Sequence, residues 1–163
     1  MARANASPGP SLLRTWQRLA GVPGGIWLFG LMLRLMVPYS GSIRPAVREL
    51  AAGRAKVFLK DRRRVRNHLT SIHAVALANL GELTTGLAVV TALPPSVRSI
   101  LVGLNIVYHK KARGTLMAEC HACPPTPAGE GLDYTATTNI QNQGGETVCE
   151  VRAQWRLSPP ASP

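Results

Sequence analysis

NHLTSIHAVALANLGELTTG, residues 67–86, decides how this chain folds. Read as a helix, it has almost no polar face, yet it begins with Asn67, His68 and His73 and holds a carboxylate, Glu82, in its middle. A helix apolar on every side lies in a membrane or is enclosed by protein. The apolar stretch Ser71 to Leu93 is long enough to span a bilayer. Asn79 and Glu82 near its centre argue against that, because a charged side chain there costs on the order of 2.5 kcal/mol or more. The stretch is therefore expected inside a protein core, wrapped by sheet.

The sheet is legible on both sides of it. RSILVGLNIVYH (98–109) alternates, with Ile100, Val102, Leu104, Ile106 and Tyr108 on one face. GTLMAECHAC (114–123), GLDYTATTNI (131–140) and ETVCEVRAQWRL (146–157) alternate in the same way. NQGG (142–145) closes the last hairpin, and HKKARG (109–114) is expected to close the one that joins the first two of these strands. Upstream, AKVFLKDRRRV (55–65) reads as a strand that follows a short one near Ile43 to Leu50. The order predicts an α+β fold, in which one long helix is wrapped by a curled antiparallel sheet of about six strands. Residues 1–39 form a tail and helical lead, 40–157 the domain, and 158–163 a second tail. Residues 1–10 and 158–163, rich in Pro, Ser and Ala, are expected to fray.

Charge is lopsided. Residues 1–66 carry 13 Lys/Arg against 2 Asp/Glu, whereas 67–163 carry 6 of each, so the net +11 sits in the first part. A basic half suits an anionic partner. Nucleic acid is not expected, because no aromatic platform is interleaved with KDRRRVR (60–66). GIWLFGLMLRLMV (25–37) is interrupted by Arg34, stopped by Pro38, and too short to span. It reads as a packed helix or one in weak peripheral contact with a membrane surface. Three cysteines in a chain of this length make no disulfide framework, and they suggest reduced thiols and a cytoplasmic setting. Cys120-His-Ala-Cys123 lacks a second ligand pair for zinc, so no metal is expected.

Asn67, the His73–Ala74 pair and Glu82 resemble a motif of the hotdog-fold acyl-CoA thioesterases, most closely their PaaI-like branch and the uncharacterised hotdog-domain proteins near it. In that branch an Asn or Gln precedes a His-Gly-Gly helix start, and an Asp or Glu follows two turns on. IVYHKKARGTLMAEC (106–120) resembles the family's segment after the helix. The similarity covers roughly residues 40–157, with Ala74-Val75 in place of Gly-Gly. It implies a hotdog fold, an acyl-CoA substrate with coenzyme A as part of that substrate and no separate cofactor, and a homodimer or homotetramer with shared sites. Ser99 falls near the place where some relatives carry a strand Ser.

The chemistry can be argued independently. Thioester hydrolysis needs donors where negative charge develops on the carbonyl oxygen. The first N–H groups of a helix, at Ala74 and Val75, are such donors. It also needs a carboxylate to activate water or to attack, and Glu82 fits because burial raises a carboxyl pKa. The eight residues from Ala74 to Glu82 span about 12 Å of helix, too far for one carbonyl to touch both. The site therefore needs Glu82 from one subunit and the helix start from another. Asn67 would hold the water or the thioester, or else cap or brace the turn. His73 would orient the helix start rather than act as base. The alternative for Glu82 is a buried structural acid paired with a neighbouring Arg. Lys110, Lys111, Arg113 and Gly114 would meet the coenzyme A phosphates, with Lys60 to Arg66 as the next basic place. Two rival readings stand beside this one. The first is a hotdog dehydratase or hydratase that uses His73 and Glu82 together. The second is a non-catalytic protein that binds acyl-CoA or lipid.

Overall fold

Glycine and proline punctuate the N-terminal lead of the computed structural model, which describes residues 7–127 and 130–159. Helix α1 (Gly9–Ala20) ends at Gly21. Gly24, at φ 78°, provides the left-handed turn into α2 (Gly25–Met36), and Pro38 opens the short α3 (Pro38–Ser42). The helix expected over 25–37 is present. α1 buries Leu12 and Trp16, and α2 buries Phe29 and Leu33. Trp16 meets Phe29 edge-on, with ring centroids 5.1 Å apart.

The sheet has six antiparallel strands: β1 (Ala46–Ala51), β2 (Arg54–Leu59), β3 (Arg98–Tyr108), β4 (Leu116–His121), β5 (Leu132–Gln141) and β6 (Thr147–Ser158). Their order is β1-β2-β4-β5-β6-β3. The long helix α4 (Ala74–Ala92) packs against all six. It is buried round its circumference by Leu77, Leu80, Leu83, Leu87 and Ala88. Length and hydropathy would let it cross a membrane, but the sheet encloses it instead. At Gly81 the helix lies close against the sheet: a Cβ there would lie 2.4 Å from Val151 of β6. This is the hotdog arrangement expected from the element order.

Four local expectations are corrected. The helix starts at Ala74, and residues 67–72 form a loop with Thr70 at φ 55°. The 1–10 tail is anchored at its end. Ser7 N–H donates to the Pro95 carbonyl at 2.8 Å, and a Cβ on Gly9 would stand 1.8 Å from the Val90 carbonyl oxygen of α4. Residues 1–6 and 160–163 of the two expected tails lie outside the described residues.

HKKARG (109–114) does not close a hairpin, because β3 pairs with β6 and β4 sits between β2 and β5. Strand lengths explain this: β3 and β6 have 11 and 12 residues, while β2 and β4 have 6 each. The segment instead crosses the sheet end past the start of α4. The Ala112 carbonyl accepts from Ile72 N–H at 2.8 Å and its N–H donates to Ser71 Oγ at 3.0 Å, while Gly114 N–H donates to Asp61 Oδ2 at 2.9 Å.

The fourth correction concerns β3. A bulge between Leu101 and Gly103 breaks its alternation. Leu101 lies opposite Trp155, and after the bulge Leu104 and Ile106 lie opposite Ala153 and Val151, all on the helix side. Ile100, opposite Arg156, is turned to the outer face, so the face expected to run from Ile100 to Tyr108 holds only from Leu104 on. On β4, β5 and β6 the expected inward faces are the buried ones.

Candidate active site

The first two turns of α4 form the floor of an open cleft. Its roof is Tyr39 of α3, and its far wall is Leu104 of β3. One part, about 280 Å³, is lined by Tyr39, Val75, Ala78, Asn79, Glu82 and Leu104. A continuation of about 390 Å³ shares Tyr39, Val75 and Asn79 and runs on to His73, Arg64 and Arg66. Apolar walls thus surround Glu82, and two arginines of the predicted basic run border the other end.

Glu82 is half-buried, and its carboxylate makes no hydrogen bond or ion pair among the described residues. Burial alone pushes its pKa above the ordinary 4.5. No arginine pairs with Glu82 among the described residues, so it is not a salt-bridged structural acid within one chain. One turn earlier, Asn79 is buried. Its Nδ2 donates to the Tyr39 carbonyl at 3.3 Å, but its Oδ1 has no partner among the described residues. A buried amide oxygen without a partner and an unpaired carboxylate thus line the same cleft. Asn79 was legible only as a polar residue in an apolar run; Tyr39, 40 positions away, carried no signal.

His73 caps the helix. Its extended backbone lets Nδ1 accept from Val75 N–H at 3.1 Å. That takes up one of the two helix-start donors, whereas Ala74 N–H has no acceptor among the described residues. The histidine therefore serves as the side-chain cap of the helix start. The Val75 side chain, 53% exposed, stands in the cleft where the resembled family has Gly.

Asn67 and Ala74 belong to a second hollow of about 300 Å³, shared with Tyr108, Lys110 and Lys111. Asn67 Oδ1 accepts from Leu69 N–H at 3.0 Å and Ser71 N–H at 3.2 Å, so it braces the loop that delivers His73. Tyr108 donates to the Ala74 carbonyl at 3.2 Å. Lys110 pairs with Glu146, whose pKa is held down chiefly by that contact, while Lys111 has no carboxylate partner among the described residues. Arg113 and Gly114 do not join this hollow. They lie beside Asp61, whose pKa is lowered first by its bond to Arg66 and also by the Gly114 N–H. Ser99 lies opposite Leu157 near the far end of β3, away from Leu104 and the cleft. The structure thus brings Asn67, Ala74, Lys110 and Lys111 together and places Glu82 in a separate hollow farther along the same helix.

Comparison with known proteins places these features in context. A family model described as a domain of unknown function, DUF4442, matches residues 25–157. A structural-genomics protein, APC5556, superposes with TM-score 0.79 at 27% identity, covering 91% of this chain and 99% of its own. A Pseudomonas aeruginosa protein described as a probable thioesterase superposes at 0.70 with 17% identity, over 85% of this chain and 97% of its own. A hypothetical thioesterase protein from Streptococcus pneumoniae, crystallised with coenzyme A, does so at 0.65 with 16% identity, over 79% and 99%. No curated protein sequence matches the chain.

Proposed function

This chain belongs to the DUF4442 family, and we propose that it hydrolyses acyl-CoA thioesters at a site completed by a second copy of itself. The observation that carries the reading is Glu82, an unpaired, half-buried carboxylate in an apolar cleft. A group held in that state serves as general base or nucleophile. The free N–H at Ala74 polarises the thioester carbonyl, and the apolar walls by Leu104 and Ala78 take acyl chain. The coenzyme A complex of a fold relative supports the substrate class.

The two parts lie about 12 Å apart along α4, so one chain cannot present both to one carbonyl. The sheet edges favour one route to the missing part. The β1 edge is short, bulged and charged at Arg48 and Glu49. The β3 edge has 11 residues and leaves Ile100 65% exposed, with Val102, Leu104 and Val107 also exposed. A long bare apolar edge is a template for another strand. Because Leu104 also walls the Glu82 cleft, pairing there brings a second copy to the site. Ile100→Lys with Val102→Lys is expected to shift the protein to monomer by light scattering and to abolish thiol release. A monomer with full activity would overturn the shared site.

The nucleotide end of coenzyme A is anionic and surface-held, which suits Lys111. Contacts that act equally on ground and transition states change KM and spare kcat. Lys111→Ala is expected to raise KM for acyl-CoA about two- to fivefold, the scale of one exposed charge contact, and to leave a short thioester without the nucleotide unaffected. Lys110→Ala is expected to do less, because Glu146 already neutralises that lysine. Equal effects on both substrates would remove this turn from recognition. The decisive experiment is thiol release across acyl chain lengths and aryl groups; no release from any of them sinks the assignment.

A further inference from the structure

A further cleft lies away from Glu82, between α2 and the start of β1. It holds about 570 Å³ and is lined by Trp27, Leu31 and Arg34 of α2 together with Arg44 and Arg48. Arg62 is beside it, donating to the Ile43 and Arg44 carbonyls. None of these arginines has a carboxylate partner among the described residues. The nearby acids are taken: Glu49 by Arg54 and Lys56, and Asp61 by Arg66. The positive field of this half is therefore uncompensated here.

The same face is apolar. Trp27 is 71% exposed and Leu35 74%, while Leu28 and Met36 are also open. Trp27, Leu31 and Leu35 follow at helical spacing and form one stripe, with Arg34 flanking it. α2, at 12 residues, is about 18 Å long. The hydrocarbon core of a bilayer is about 30 Å thick, so α2 cannot span it but can lie in its surface.

We propose that this face docks on an anionic phospholipid bilayer, with α2 in the interface, Trp27 and Leu35 at the acyl boundary, and Arg34, Arg44 and Arg48 on the headgroup phosphates. Aromatic and aliphatic residues beside arginines suit that boundary. Charge complementarity selects the lipid over a second copy, since an isologous contact would set these arginines against their own kind. The proposal does not depend on thioester hydrolysis, though docking would place an acyl-binding cleft beside a source of long acyl chains.

The test is co-sedimentation of the full chain with phosphatidylcholine vesicles, with and without phosphatidylglycerol. Binding is expected only to the anionic vesicles and is expected to fall with salt. Arg34→Gln with Arg48→Gln should weaken partitioning about 30-fold, the scale of two surface arginines. Trp27→Ala with Leu35→Ser should weaken it independently. Trp16 and Trp155 are each 7% exposed, so a blue shift of tryptophan emission on anionic vesicles reports Trp27. Inorganic phosphate at equal ionic strength should produce none. No sedimentation, equal binding to neutral vesicles, or binding indifferent to both variant pairs would overturn the proposal. So would a phosphate-induced shift, which assigns the cleft to a soluble anion, or a change of oligomeric mass in the Trp27–Leu35 variant, which assigns the face to a second copy. Thiol release from soluble thioesters is read separately, so its failure leaves this result standing.

Discussion

Glu82→Gln is expected to lower kcat for thioester hydrolysis by about 10²–10⁴, the range for loss of a positioned general base, with little change in KM. Glutamine keeps the size of the side chain in the cleft beside Ala78 and Leu104 and removes only the proton-accepting charge. The pH dependence carries the same signature. The active form is the carboxylate, so kcat/KM should fall on acidification with a midpoint above the ordinary glutamate value of 4.5, because burial raises this pKa. That limb should vanish in Glu82→Gln. Stability should move the other way. A raised pKa means that the folded state holds the proton more tightly than the unfolded chain does. The resulting stabilisation is complete below 4.5 and is lost as pH rises through the folded value. Above that window Glu82→Gln should melt higher than the parent. Unchanged turnover would remove Glu82 from the chemistry, and a lower melting temperature at neutral pH would mark it as a structural acid.

Gly81→Val is expected to destabilise the fold by about 3 kcal/mol or more through overpacking, which lowers Tm by roughly 6–12 °C at this chain length. The added Cβ would stand 2.4 Å from Val151 Cγ2 and 2.5 Å from its Cβ, and Val151 is fully buried on β6. Neither partner can retreat: Gly81 is mid-helix, and Val151 is held in register between β5 and β3. Val151→Ala removes the two obstructing methyls, keeps the Cβ, and leaves a small void of its own, so relief is partial. Combining the two should recover at least about 1 kcal/mol relative to the sum of the single changes. Strict additivity in a denaturation cycle would mean that α4 and β6 do not meet at this pair.

Much of the molecule was readable before its structure. The period-two faces of β4, β5 and β6 and the helix without a polar side are local patterns. Each states which side of its own element must leave water, and together they required a helix enclosed by sheet. Glu82 was conspicuous for the same reason, as a carboxylate where the pattern demands apolar atoms. The loop brace of Asn67 and the cap of His73 are short-range too, and both lie within a few residues of the groups they bind.

Tertiary pairing decided the rest. HKKARG has the composition of a hairpin, but β3 found the longer β6 and left β4 to β2 and β5, because matched strand lengths satisfy more backbone groups than chain proximity does. The bulge at Leu101–Gly103 turned Ile100 outward, although the residues themselves alternate without a break. Asn79 and Tyr39 became parts of the cleft only when α3 was laid across α4, 40 positions later in sequence. Alternation and capping are written in neighbouring residues, so the sequence alone determined the elements and the solitary acid. Strand partners, bulges and cleft walls depend on contacts between segments far apart in the chain, and no local pattern encodes which distant segment arrives.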